Sequence, residues 1–238
     1  NYHAVERNPI SFNYRGYEVH SMPPASSGGI TIAGILNQLE NIDLDSLDYH
    51  SAQHIHFVAE AERRVYADRA EFMGDMDFVP VPIDRLISDQ YAQVRWNSVD
   101  SIIASKSEDV SHGDIPFNYK ESEETTHYSV VDQWGNAVSV TTTINGWFGN
   151  GIVVDGAGFL LNNEMDDFSA KPGVPNAYGL IGNAANAIEP GKRMLSSMSP
   201  TIVETPEGEL FLLLGSPGGS TIITTVAQII MNVVDFGM

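Results

Sequence analysis

Apolar positions fall at helical spacing in two stretches before residue 100, and β-type alternation sets in at Thr125. Alternation around Tyr17 and Val19 predicts a short strand, stopped by Pro23-Pro24. Ser26-Ser27-Gly28-Gly29 then precedes Ile30, Ile32, Ile35, Leu36 and Leu39, the spacing of a helix behind a serine cap. A helix N terminus can also hold an anion, and capping explains the serines equally well. The longest helical stripe covers 50–73 and carries Ile55, Val58, Ala59, Glu62, Val65, Tyr66, Arg69 and Phe72. Glu60, Glu62, Arg63, Arg64, Asp68, Arg69 and Glu71 read mostly as a solvated face with helix-spaced pairs. His50 and His54 stand four apart, as metal ligands on a helix can. No third ligand follows from spacing, so a structural or surface role is the simpler reading. A further helix is expected over 83–99.

Between 100 and 124 Ser, Asp, Glu and Lys dominate, which reads as a linker or flexible acidic tail. From Thr125 the pattern changes. Tyr128, Val130 and Asp132 alternate with Ser129 and Val131, Asp132–Asn136 is a turn, and Ala137–Ile144 is a β-branched strand, so a hairpin is expected. A glycine-rich stretch follows, then the polar cluster 162–169. Residues 171–191 read as a long surface loop, the kind that often closes over a site. Thr201–Val203 and the apolar run Leu210–Leu214 are two more strands around Pro206-Glu207-Gly208-Glu209. Gly215-Ser216-Pro217-Gly218-Gly219-Ser220 then leads into Ile222, Ile223, Val226, Ile229 and Ile230. Strand, glycine turn and helix place backbone N–H groups at a helix N terminus, a natural oxyanion or anion site. It is not a nucleotide-binding P-loop, because the GK[ST] ending is missing.

Composition narrows the function classes. With 238 residues, 42% of them apolar, the chain can bury a sizeable core. A net charge of −19 argues against nucleic acid or an anionic membrane surface as partner. The absence of cysteine excludes disulfides, thiolate metal sites and a cysteine nucleophile. No apolar run is long enough to span a bilayer. The chain begins without Met and without a signal segment, and it ends at Met238 after an apolar run, so both ends read as cuts within a longer protein.

Several segments, in order and rough spacing, resemble the γ-glutamyltranspeptidase family. They are Thr125-Thr126-His127-Tyr128-Ser129-Val130, Leu160-Leu161-Asn162-Asn163-Glu164-Met165-Asp166-Asp167-Phe168-Ser169, Lys171-Pro172-Gly173-Val174-Pro175-Asn176, Leu195-Ser196-Ser197-Met198-Ser199-Pro200-Thr201 and Gly215–Ser220. Upstream, Ala4-Val5-Glu6-Arg7 and Pro23–Gly29 are similar to the end of that family's large subunit. The resemblance implies an α+β fold, a partial αββα sandwich of the N-terminal nucleophile hydrolases. It also implies a precursor that cuts itself between Glu124 and Thr125. Residues 1–124 would then be the C-terminal part of the large-subunit region, with its acidic tail at about 100–124. Residues 125–238 would be the N-terminal part of the small catalytic subunit, and the two would remain paired in one domain.

The chemistry fits those positions. A threonine hydroxyl needs an adjacent base. A freshly exposed α-amine, with a pKa of about 7.7–8.0, is partly neutral near neutral pH, so freeing Thr125 creates nucleophile and base together. By resemblance Thr143 tunes that hydroxyl, and Gly218 and Gly219 supply the oxyanion donors. Asn145 lies at the glutamyl site, Glu164 and Asp167 bind the substrate's α-ammonium, and Ser196 and Ser197 bind its α-carboxylate. Tyr178 gates the pocket from the lid loop that begins at Pro172. The arginine that usually completes the carboxylate site lies upstream of Asn1. Taken singly, Thr125 and Thr143 are ordinary strand threonines, Asp166 and Asp167 turn caps, and Ser196 and Ser197 turn residues. Many members carry Gln at the position of Glu164. Gly182-Asn183-Ala184-Ala185, Met194 and Gly146-Trp147 also depart from the usual pattern, which bears on lid closure and acceptor preference.

The implied activity is transfer of a γ-glutamyl group from glutathione or another γ-glutamyl compound to water, an amino acid or a peptide, through an ester on Thr125. The alternatives are an amidase of the cephalosporin-acylase type, or an inactive fragment or binding module. No cofactor and no metal is implied. The family acts in the periplasm or outside the cell.

Overall fold

The computed structural model describes residues 3–112, 125–169, 171, 174 and 183–238. Strand β1 (Ile10–Tyr14) and β2 (Tyr17–Ser21) form a hairpin. Only β2 was expected, yet β1 also alternates: Ile10, Phe12 and Tyr14 are buried while Ser11 and Asn13 are exposed. Strand β2 pairs antiparallel with β5 (Thr201–Glu204), and β5 with β6 (Leu210–Leu214), giving the order β1-β2-β5-β6. The sheet therefore joins strands from both sides of Thr125.

Helix α1 (Gly28–Leu39) packs on β1 and β2 and touches α2 (Ala52–Phe72) and α5 (Thr221–Val234). It is apolar nearly all round and every residue is buried, as expected of a helix with core on all sides. One core holds Phe12 and Val19 from the sheet, Ile32, Ile35 and Leu36 from α1, Val65 from α2, and Val226 and Ile230 from α5. Helices on one face of an antiparallel sheet give the expected α+β class. The N terminus of α1 is filled by protein: a Cβ on Gly28 would collide with the Ser199 hydroxyl and lie 2.9 Å from the Met198 carbonyl. Ser26 and Ser27 also depart from a simple cap. Ser27 makes no side-chain capping bond, and both hydroxyls donate to the Ser196 carbonyl.

Two sequence expectations are corrected. The helix expected over 83–99 is two, α3 (Ile83–Leu86) and α4 (Asp89–Trp96). Ser88 interrupts it, its hydroxyl accepting from the Tyr91 N–H as an N-cap and donating to the Arg85 carbonyl. The charged face of α2 is not solvated. Glu60, Arg64, Asp68 and Arg69 are all buried, and the exposed side of the helix includes Ile55. Glu60 accepts from Arg63, from Arg64 at 2.6 Å and from the Ser105 hydroxyl at 2.6 Å. Arg64 also donates to the Ser98 carbonyl. The segment after α4 folds back and satisfies charges that would otherwise be costly to bury.

His50 and His54 sit in an aromatic cluster with Tyr49 and Phe236. Among the described residues no group of His, Cys, Asp or Glu is arranged to hold a metal ion, and no helix is long and apolar enough to cross a membrane.

Candidate active site

Thr125 enters β3 (Thr126–Val131), which pairs residue for residue with β4 (Ala137–Thr142). The Asp132 carboxylate accepts from the Trp134 and Asn136 N–H groups and fixes the turn. The hairpin lies beside β6 through the Ser139 hydroxyl, which donates to the Leu214 carbonyl at 2.9 Å. His127 docks it more closely. Its Nδ1 is 2.9 Å from the Thr141 hydroxyl, and its ring fills the space where a Cβ on Gly215 would stand. Only glycine allows that approach.

Gly215 opens the turn that ends at α5. Gly218 (φ +121°) and Gly219 (φ +56°) are both in the left-handed region, where a side chain would be strained. The Gly218 carbonyl accepts from the Thr221 N–H and hydroxyl. Tyr66 of α2 donates to the Ser220 carbonyl at 2.6 Å and anchors the turn from below. Thr125, Thr143 and Gly218, with Thr126, Ile144 and Pro217, line one cleft of about 610 Å³. A hydroxyl, a second hydroxyl and a glycine turn at a helix N terminus thus line one cleft. That is what attack on a carbonyl with stabilisation of the oxyanion requires.

The ammonium-binding candidates connect to this cleft through backbone. The Thr143 hydroxyl accepts from the Asn145 N–H at 2.9 Å. Asn145 (φ +70°) donates from its side chain to the Asn163 carbonyl, and Asn163 accepts from the Gly146 N–H. Glu164–Asp167 follow as one 3₁₀ turn. Burial raises the Glu164 carboxyl. Burial pushes Asp167 up to about 7, Glu164 and Asp166 add to the rise, and Arg69 opposes it. A site for an ammonium group is marked by such crowding of carboxylates, because a bound cation relieves it.

Ser196 and Ser197 are held against the segment ahead of α1. The Ser196 N–H donates to the Ala25 carbonyl, and its carbonyl accepts from the Ser27 N–H at 2.9 Å. The Ser197 hydroxyl accepts from Arg69 at 3.1 Å. Buried Asn186 ties the two groups together: its amide donates to the Asp167 carbonyl at 2.7 Å and its oxygen accepts from the Leu195 N–H at 2.9 Å.

The expected residues therefore fall into two linked clusters, with Thr125, Thr143, Asn145, Gly218 and Gly219 at one end and Glu164, Asp167, Ser196 and Ser197 at the other. Tyr178 and Glu124 lie outside the described residues, as does most of the lid loop; its far end returns at Asn183, which bonds to the Ala70 carbonyl and Glu71. Sequence reasoning missed Tyr66, Arg69, Asn163 and Asn186 as supports. For Tyr66 and Arg69 a signal existed, since both lie on the stripe shared with Val58 and Val65.

Comparison with known proteins fixes the class. The chain aligns over 97% of its length, and 38% of the other chain, with the crystal structure of a cephalosporin acylase from Bacillus halodurans, with a TM-score of 0.76 and 24% identity. At that identity the match speaks for the fold alone. The profile of the gamma-glutamyltranspeptidase family matches residues 1–238, and the chain belongs to that family. It is 56% identical over its full length to a glutathione hydrolase proenzyme of Escherichia coli (strain K12). It is 40% identical over its full length to an acylase ACY 1 proenzyme of Pseudomonas sp. (strain V22). In both cases it spans 40% of the relative's length.

Proposed function

We propose that the protein carrying this chain is a γ-glutamyltransferase and glutathione hydrolase that matures by cutting itself between Glu124 and Thr125. The observation that carries the proposal is the single cleft lined by Thr125, Thr143 and Gly218, in a chain 56% identical to a glutathione hydrolase proenzyme. Residues 1–124 and 125–238 belong to the large- and small-subunit regions and stay paired after the cut. The donor is glutathione or a similar γ-glutamyl compound, the acceptor is water, an amino acid or a peptide, and the site of action is the periplasm or the outside of the cell.

In the matured protein the Thr125 α-amine takes the hydroxyl proton as Oγ attacks the γ-carbonyl carbon. The N–H groups of Gly218 and Gly219 hold the oxyanion, a contribution of about 10²–10³ in rate per donor. Thr143 orients the nucleophile. Collapse breaks the C–N bond, the leaving amine takes the proton, and the γ-glutamyl ester remains on Thr125. Water or an acceptor amine then attacks the ester and releases Oγ. Glu164 and Asp167 hold the donor's α-ammonium, Ser196 and Ser197 its α-carboxylate, Asn145 borders the glutamyl group, and Tyr178 closes over it.

The acylase reading is tested by the same residues, because a glutaryl group has no α-ammonium to occupy the carboxylate pair. Intact-mass measurement on the complete polypeptide, followed by turnover of a γ-glutamyl anilide against a glutaryl amide, decides the matter. Two products split at Thr125 and preference for the γ-glutamyl substrate are expected. A persistently single chain, or preference for the glutaryl amide, would overturn the proposal.

A further inference from the structure

Behind the serine pair stands a buried cation. Arg69, on the last turn of α2, is 3% exposed. Its Nε donates to the Ser27 hydroxyl at 2.8 Å, and its Nη2 donates to the Ser197 hydroxyl at 3.1 Å. Ser27 in turn donates to the Ser196 carbonyl at 2.9 Å. One guanidinium therefore reaches both serines, one directly and one through Ser27. The planar guanidinium holds both directions in a fixed fork, which an ammonium's rotatable donors do not. The charge of Arg69 also acts on the carboxylate turn. The charged groups acting on Asp167 are Glu164, Asp166 and Arg69, and Arg69 is the one that favours the ionised form.

We propose that Arg69 is a positioning residue: it fixes the Ser197 hydroxyl and, through Ser27, the Ser196 carbonyl in one frame, which Asn186 ties to the Asp167 backbone, so that both ends of a single α-amino acid group can be bound together. Arg69 acts through these groups and does not touch the substrate. The inference rests on the glutamyl reading of the site. It explains why a cation is buried where α2 meets segments from before and after Thr125. Arg69 also sets a cation against the like-charge crowding that raises Asp167, although burial and Glu164 outweigh it.

The test uses the complete polypeptide with Arg69→Gln, Arg69→Lys and the milder Ser27→Ala, each first checked for self-cleavage by intact mass. Arg69→Gln is expected to raise KM for a γ-glutamyl anilide by about tenfold or more with a smaller change in kcat. It should also move the acid limb of kcat/KM to higher pH, because removing the cation lets Asp167 keep its proton longer. Arg69→Lys should restore the acid limb but only part of KM. Ser27→Ala should raise KM by a few fold without moving the limb. Equal losses in kcat and KM with an unmoved acid limb in Arg69→Gln would overturn the proposal in favour of a purely structural arginine. Failure of the unsubstituted protein to turn over the anilide would instead sink the glutamyl reading. In that case the carboxyl NMR titration of Asp167 still judges Arg69: its midpoint must rise in Arg69→Gln and stay in place in Arg69→Lys, and an unmoved midpoint in Arg69→Gln refutes the role.

Discussion

The two ends of the candidate site are built in opposite ways. The carboxylate and serine end is embedded: Asn186, Arg69 and Ser27 are all buried and each bonds to it. The Thr125 end is a hairpin on the surface, with Tyr128, Val130 and Val138 each more than half exposed. The contrast fits what each end would bind under the proposed function. A zwitterion is held well only by charges that are desolvated and fixed, and buried charges need a surrounding network. A nucleophile made by cutting the chain, as proposed for Thr125, would have to sit where a chain end can form. Within this chain its position is set by pairing with β4 and by His127 against Gly215. Precision is thus supplied by the core at one end and by backbone registry at the other.

The sharpest way to separate the two ends is Thr125→Ala. It should abolish self-cleavage and lower γ-glutamyl turnover by about 10⁴-fold or more, while changing stability by no more than about 0.5 kcal/mol. Retained turnover would remove Thr125 from the mechanism. Asp167→Ala comes next. It should raise KM for the donor by about 10²-fold, equivalent to a lost charge-assisted contact, and leave cleavage nearly intact. Parallel loss of both in a mass and kinetics comparison would make Asp167 a folding residue.

Asn186→Ala probes the embedded end without touching substrate. It orphans the Asp167 carbonyl and the Leu195 N–H and should cost about 2–3 kcal/mol, read as a lower urea midpoint at unchanged slope. The pH dependence of stability supplies a smaller effect. Asp167 holds its proton more tightly folded than unfolded, so its contribution to stability falls as pH rises from about 4 to 7. Asp167→Asn should therefore be the more stable protein at pH 8, by about 1 kcal/mol, and equal to the parent near pH 3. A thermal melt at the two pH values checks the sign. Smallest of all is Val130→Thr on the open face of the hairpin, expected within about 0.5 kcal/mol. A larger cost would show that this face is covered in the complete protein.

What could be read from sequence was local. The hairpin at Thr125, the strands at Thr201 and Leu210, the glycine turn and α5 all announce themselves through alternation, turn residues and helical spacing within a few positions. The charged face of α2 was misread because its burial depends on Ser98, Ser105, Ser27 and Ser197, which lie far away in sequence. Helix-spaced charges look the same whether water or a folded-back loop lies opposite. The apolar stripe did contain the clue, since Glu62 and Arg69 fall on it, and a charge in phase with a core face is either solvated at its tip or engaged. Asn186 left no comparable trace, because in a Gly- and Asn-rich stretch one buried amide resembles its exposed neighbours. Thr125 was singled out by family resemblance, because its own strand context is unremarkable.

The pairing of β2 with β5 has a consequence for the order of events. These strands are neighbours in the sheet but lie on opposite sides of Thr125. Bringing them together in an uncut chain is a unimolecular search, slow for such distant partners yet independent of concentration. Once the Glu124–Thr125 bond is broken, the same pairing would require two molecules to meet, and recovery after denaturation would become second order. Folding must therefore come first. The matured form would owe its persistence to slow unfolding, and a diluted, once-melted sample should regain less structure than an uncut one.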